Sequence, residues 1–143
     1  MGLARFFSSL VIFPALAFST ISSAAIDRVG DFALLDEDGE FHQISRYIHR
    51  NAVVMMSYSP SCAGMDSKLE SFNALHAKYV ENNIEFLLID SSPSQELNGN
   101  FDVPMLRDSG QLVTEALEIA NAGEVMVFNP ERLSLFYRGP VDG

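Results

Sequence analysis

Apolar positions along this chain change their period in a regular succession. Ala52-Val53-Val54-Met55-Met56-Ser57 is a continuous apolar run of strand length, as expected for a central strand covered on both faces. From Met65 the period becomes helical: Met65, Leu69, Phe72, Leu75, Tyr79 and Val80 share one face, and Lys68, Glu70, Asn73 and Lys78 lie on the other. The spacing predicts an amphipathic helix over 61–81, with Ser59 as its cap and Pro60 at its first position, where no amide donor is required. Asn82-Asn83 stops it. Ile84-Glu85-Phe86-Leu87-Leu88-Ile89-Asp90 is a second buried strand, and strand, helix and strand in that order predict a parallel crossover.

Shorter elements flank this unit. Asp31-Phe32-Ala33-Leu34-Leu35-Asp36 and Glu40-Phe41-His42-Gln43-Ile44 are extended stretches around a turn in which Gly39 is free to take a positive φ, which reads as an N-terminal β-hairpin. One helical turn is expected over 45–49 and another over 94–97, inside a polar loop. Val103-Pro104-Met105-Leu106 is a brief extended piece, followed by a short helix over 111–120. Glu124-Val125-Met126-Val127-Phe128 and Leu133-Ser134-Leu135-Phe136-Tyr137 flank Asn129-Pro130-Glu131-Arg132 as a second, antiparallel hairpin. The order describes an α/β sandwich with a mixed central sheet. Its last strand falls almost at the end of the chain, so one sheet face carries fewer helices than layered packing wants, and a C-terminal helix is expected to be missing.

The first 25 residues read differently. Arg5 precedes an apolar stretch over 6–18 that is too short for a stable membrane span, and Ser22-Ser23-Ala24-Ala25 supplies small residues for cleavage. This is the pattern of a secretory signal peptide, the other reading being an uncleaved N-terminal anchor. The remaining 26–143 form one domain, large enough for a single core. All 19 acidic residues and eight of the nine basic ones lie in it, a net charge of −11. Phosphate backbones and anionic lipid would repel such a domain, which argues against nucleic-acid binding, and against membrane contact unless the N-terminal segment stays attached.

Cys62 is the only cysteine, so an exported form holds no internal disulfide. It lies in Ser59-Pro60-Ser61-Cys62, directly after the first buried strand. With that stretch, Asp31 to Asp36 with Gly39, Val103-Pro104-Met105-Leu106-Arg107-Asp108 and Leu135-Phe136-Tyr137-Arg138-Gly139, the mature chain resembles the thioredoxin-like redoxins. That group joins alkyl hydroperoxide reductase/thiol-specific antioxidant proteins to exported thiol-disulfide oxidoreductases. The resemblance implies a thioredoxin-like fold, with Cys62 as the nucleophilic thiol. It departs from the family at three places: the resolving cysteine of a Cys-x-x-Cys pair falls at Met65, the proline of the peroxidase motif at Met55, and the family's cis-proline near Gly123.

Those departures exclude an internal dithiol cycle and leave one-cysteine chemistry or none. A helix N-terminus favours a thiolate, although Asp66 one turn on opposes it. Ser59 is placed to hydrogen-bond the thiolate or a bound peroxide, or merely to cap the helix. Arg107 and Arg138 are candidates for an arginine facing the sulfur, with surface or loop-closing roles as the plainer alternative. The leading expectation is an exported redoxin, of periplasmic or extracellular location. In it Cys62 reacts with a peroxide or a disulfide without a cofactor, and an external thiol regenerates it. The alternative is a catalytically degenerate thioredoxin-like module that binds a partner protein. A third reading pairs Cys62 and Met65 as Cu(I) ligands, with His42, His49 or His76 added; against it, Met65 starts the helix's apolar stripe and is expected in the core.

Overall fold

The computed structural model describes residues 28–93 and 101–142. The signal segment and the helical turn expected over 94–97 lie outside the described residues. A five-stranded sheet runs in the order β5-β4-β3-β6-β7 and forms the middle of the domain. β3 (Ala52–Tyr58) and β4 (Ile84–Asp90) are parallel over their whole length, Ala52 opposite Ile84 and Tyr58 opposite Asp90. β5 (Met105–Arg107) continues the parallel half, while β6 (Glu124–Asn129) and β7 (Ser134–Pro140) add the antiparallel half. β1 (Ala33–Leu35) and β2 (Phe41–Gln43) pair as a separate two-stranded ribbon. The sheet is therefore mixed and the N-terminal hairpin is present, as the apolar spacing predicts.

Two cores sit on its two faces, because alternate residues of β3 and β4 point opposite ways. On one face Val53, Met55, Leu87, Ile89, Met126 and Phe128 pack under the hairpin, the 3₁₀ turn Ile44–Tyr47 and α2 (Leu112–Ala116). On the other, Val54, Met56, Phe86 and Leu88 meet α1 (Met65–Tyr79) through Met65 and Phe72. Phe72 is fully buried and meets Phe86 edge to face, with ring centroids 5.6 Å apart. Phe136 and Tyr137 of the edge strand β7 are exposed on the outer part of the sheet. No helix among the described residues is long and apolar enough to cross a membrane.

Both helices are shorter than their patterns predict. α1 begins at Met65, because its cap residue Gly64 is left-handed at φ 78° and cannot extend the helix backwards. It ends in a 3₁₀ turn, Val80–Asn82, with Asn83 left-handed at φ 57°. Asn is among the residues that tolerate that conformation, which explains the stop at this pair. α2 ends at Ala116, and Glu118 at φ 52° turns the chain out of the helix. Leu112, expected on its apolar face, is exposed instead.

The hairpin is fastened by polar contacts that no apolar pattern displays. Asp36 Oδ1 accepts the amides of Asp38 and Glu40 at 3.0 and 2.8 Å, closing the turn. Its Oδ2 lies 2.8 Å from His42 Nε2, and His42 Nδ1 lies 2.5 Å from the Tyr47 hydroxyl. The carboxylate calls for the proton on Nε2, so in the neutral ring Nδ1 accepts from the phenol. Burial, and after it the Glu85 carboxylate, push the Tyr47 phenol up to about 12, which keeps it protonated as that donor. Glu37 Oε2 accepts the Met105 amide at 2.7 Å and ties the ribbon to β5.

Burial works against the ionised form of Asp36, but the hydrogen bonds from His42, Glu40 and Asp38 outweigh it and hold the carboxyl below its ordinary 3.8. A lowered folded value makes Asp36 a stabilising group above the unfolded value, and that contribution is lost as pH falls through the folded one. Asp36→Asn should cost about 1–3 kcal/mol at neutral pH. Between about pH 5 and pH 2 its denaturant midpoint should also fall less steeply than that of the wild type, and equal slopes would refute the assignment.

Candidate functional site: the thiol turn

β3 delivers the chain to this site between two anchors. Tyr58, its last residue, is buried and meets Phe101 edge to face at 5.2 Å. Ser57 is the one polar side chain of the strand, and it is buried too. Its hydroxyl donates to the Asn121 carbonyl at 2.6 Å and accepts the Glu124 amide at 3.0 Å, while its carbonyl accepts the Gly123 amide at 2.7 Å. The loop entering β6 is thus bonded to the strand that leads to Cys62. Gly123 is buried at φ 82°, a conformation that glycine takes without cost, and no cis peptide bond occurs among the described residues.

Beyond Tyr58 the chain makes two successive tight turns. The Cys62 amide donates to the Ser59 carbonyl at 3.1 Å, and the Met65 amide donates to the Cys62 carbonyl at 3.2 Å. The first bond uses an amide that a helix starting at residue 61 would leave free, and the second reaches Cys62 where a helix would reach Ser61, so Cys62 precedes the helix instead of opening it. Ser59 does not cap α1, and Pro60 is not in its first turn: the helix has Gly64 at its cap and no side-chain cap bond. The Ser59 hydroxyl lies 3.1 Å from that of Ser61.

Cys62 is an exposed free thiol, its Sγ 3.8 Å from the Ala63 carbonyl oxygen. Met65 is buried, 4 % exposed, as the start of the apolar stripe predicts. The left-handed Gly64 between them breaks helical spacing, so the two sulfurs do not share a face and the Cu(I) pairing loses its geometric basis. Among the described residues no group of three or more His, Cys, Asp and Glu could hold a metal ion. His42 is engaged in the hairpin, and the His76 ring lies against Phe86 with centroids 5.1 Å apart.

The two arginines have partners of their own. Arg138 Nε is 3.1 Å from Glu124 Oε1, and its guanidinium also reaches the Leu117 carbonyl and, at 3.2 Å, Met126 Sδ. Closing the α2–β6 connection is therefore its role. Arg107 Nη1 is 3.8 Å from Asp90 Oδ2. Sequence marks Gly123 only as the position near which the family's cis-proline would fall, and does not mark Ser57 as a site residue. The available signals were a lone hydroxyl at the end of an apolar run and a glycine just before the next one.

No family model matches the chain, and no curated protein matches it. Solved structures do. A hypothetical protein from Sinorhizobium meliloti aligns at TM-score 0.71 with 21 % identity, over 82 % of this chain and 71 % of that one. The exposed lipoprotein thioredoxin Etrx1 of Streptococcus pneumoniae aligns at 0.65 with 16 % identity, over 78 % and 89 %. The peroxidoxin BcpB of Mycobacterium tuberculosis aligns at 0.68 with 18 % identity, over 83 % and 86 %.

The Ser57 joint gives a test of its own. Ser57→Ala removes the bond to the Asn121 carbonyl and leaves the Glu124 amide only a long 3.4 Å contact to that carbonyl, and should cost about 1–3 kcal/mol in chemical denaturation. Amide exchange at Gly123 and Glu124 should speed up, and unchanged exchange there would show that the hydroxyl does not hold the loop. With a mixed five-stranded sheet, a helix entered from the end of β3 and these structural neighbours, the chain has a thioredoxin-like α/β fold.

Proposed function

We propose that the protein is an exported thiol oxidoreductase of one-cysteine type, with Cys62 as its nucleophile. The observation that carries the reading is an exposed thiol on the turn that follows the central strand of a redoxin fold. Export is part of the proposal and is supported by Arg5, the apolar stretch over 6–18 and Ala24-Ala25. The names of the structural relatives, a lipoprotein thioredoxin and a peroxidoxin, support the chemical class.

In the peroxide reaction the Cys62 thiolate attacks one peroxide oxygen. An S–O bond forms, the O–O bond breaks, and the alkoxide or hydroxide leaves and takes a proton from water. The resulting sulfenic acid condenses with an external thiol to a mixed disulfide and water, and a second thiol releases Cys62 reduced. In the disulfide reaction the thiolate forms the mixed disulfide directly and expels the other half as thiolate. Met65 offers no second thiol, so the peroxide cycle draws two external thiols or one dithiol partner, and the disulfide cycle draws one further thiol. Ser59, half-buried three residues before the cysteine, is assigned to hydrogen-bond the thiolate or the bound peroxide once Ser61 releases it.

Peroxide treatment followed by a sulfenate-trapping dione should label the wild type and not Cys62→Ser. The oxidised wild type should also form a mixed disulfide with an added small thiol. Ser59→Ala should slow sulfenate formation several-fold without changing the denaturation midpoint by more than about 1 kcal/mol. If no sulfenate or mixed disulfide forms on Cys62, the redox reading fails and the partner-binding module takes its place.

A further inference from the structure

A cleft of about 210 Å³ opens between the first turn of α1 and the start of β6, lined by Lys68, Asn121, Ala122, Gly123, Glu124 and Pro140. It lies at the same end of the sheet as the thiol turn, because Ser57 binds the 121–124 loop and Lys68 donates its amide to Gly64, two residues past Cys62. The cleft is smaller than the roughly 300–1,000 Å³ of a drug-sized pocket. It suits a small molecule or one end of a chain.

Two charged side chains line it. Glu124 Oε1 is 3.1 Å from Arg138 Nε, while its buried Oε2 has no hydrogen-bond partner among the described residues. Lys68 belongs to none of the ion pairs among the described residues. It is the only Lys or Arg between Arg50 and Lys78 in a chain of net charge −10. Asp66 and Glu70 stand two residues to either side of Lys68 on α1, and neither forms an ion pair with it. Lys68 is also held in place. A Cβ on Gly123 would stand 2.3 Å from Lys68 Cδ and 3.0 Å from its Nζ, so the half-buried stem lies flat on the loop only because residue 123 has no side chain.

We infer that this cleft selects anionic small thiols and disulfides, those bearing a carboxylate, by pairing the carboxylate with Lys68 as the sulfur meets Cys62. The inference rests on the thiol reading above and names its substrate class. In the step itself the Cys62 thiolate attacks the nearer sulfur of R–S–S–R. An Sγ–S bond forms, the S–S bond breaks, and the departing RS⁻ takes a proton from water, with the two electrons staying on sulfur. The carboxylate of the retained half is the group that Lys68 holds.

Second-order rate constants for three symmetrical disulfides test this on the full chain: anionic dithiodiglycolate, neutral dithiodipyridine and cationic cystamine. Lys68→Met should lower the dithiodiglycolate rate about five-fold and leave dithiodipyridine within about two-fold. Lys68→Glu should lower the anionic rate further and raise that of cystamine. The anionic preference of the wild type should also shrink as salt rises well above about 0.15 M. Equal changes for all three disulfides, or none, overturn the assignment to Lys68. If dithiodipyridine fails to modify wild-type Cys62 at all, the thiol reading itself falls, and the charge selection with it.

Discussion

A buried hydroxyl on an apolar strand has to find partners, and Ser57 finds two on the same loop. Its side chain takes the Asn121 carbonyl and the Glu124 amide, while its backbone carbonyl takes the Gly123 amide. Three hydrogen bonds thus join the end of β3 to the entrance of β6, where the sheet changes from parallel to antiparallel pairing. A valine or methionine here would continue the apolar run and lose the hydroxyl's bonds to the Asn121 carbonyl and the Glu124 amide. With serine, the turn that carries Cys62 and the loop that floors the Lys68 cleft share one rigid anchor. Only residues 59–64 then remain to set where the sulfur sits.

The large-scale order of the fold was legible because burial on both faces leaves so plain a mark. β3, β4 and β6 are apolar runs of strand length, and α1 shows its stripe at Met65, Leu69 and Phe72. Asp36 to Gly39 marks the first hairpin by turn chemistry alone. The start of α1 was misread for a specific reason. Ser59-Pro60 has the composition of a helix cap, yet consecutive turns at Ser59–Cys62 and Cys62–Met65 satisfy the same amides locally, and Gly64 then admits the left-handed residue that starts the helix late. Composition marks a possible cap; which of two local hydrogen-bonding schemes wins depends on φ at one glycine. Contacts between distant segments left still less trace. Nothing in one dimension links His42 to Tyr47, Ser57 to Asn121 or Lys68 to Gly123.

The acidity of the chain also looks different once partners are visible. Several of the carboxylates are structural acceptors of backbone amides. Asp36 closes the hairpin, Glu37 holds β5, Asp31 takes the Ser45 amide, and Asp108 takes both the amide and the hydroxyl of Thr114 at the start of α2. These bonds join loops to elements, where the orphan amides of short helices and ribbon ends need acceptors. Acid in such places stabilises local structure while keeping the net charge negative.

That negative background gives Lys68 its weight. A single ammonium on a neutral surface would do little, since exposed ion pairs are weak and water screens them. Here the cation is half-buried, its stem is fixed against a loop without a side chain, and one oxygen of the neighbouring carboxylate faces Arg138. The one-cysteine arrangement gives such a group a use. Met65 sits in the core and holds no thiol, so on the proposed reading an oxidised Cys62 is met by sulfur from outside. A dithiol enzyme resolves its own intermediate whatever else is present, whereas a lone thiol depends on which small molecules reach it. On that reading selection falls to the surroundings of the sulfur, and Lys68 is the cation lining the cleft, outside the ion pairs among the described residues.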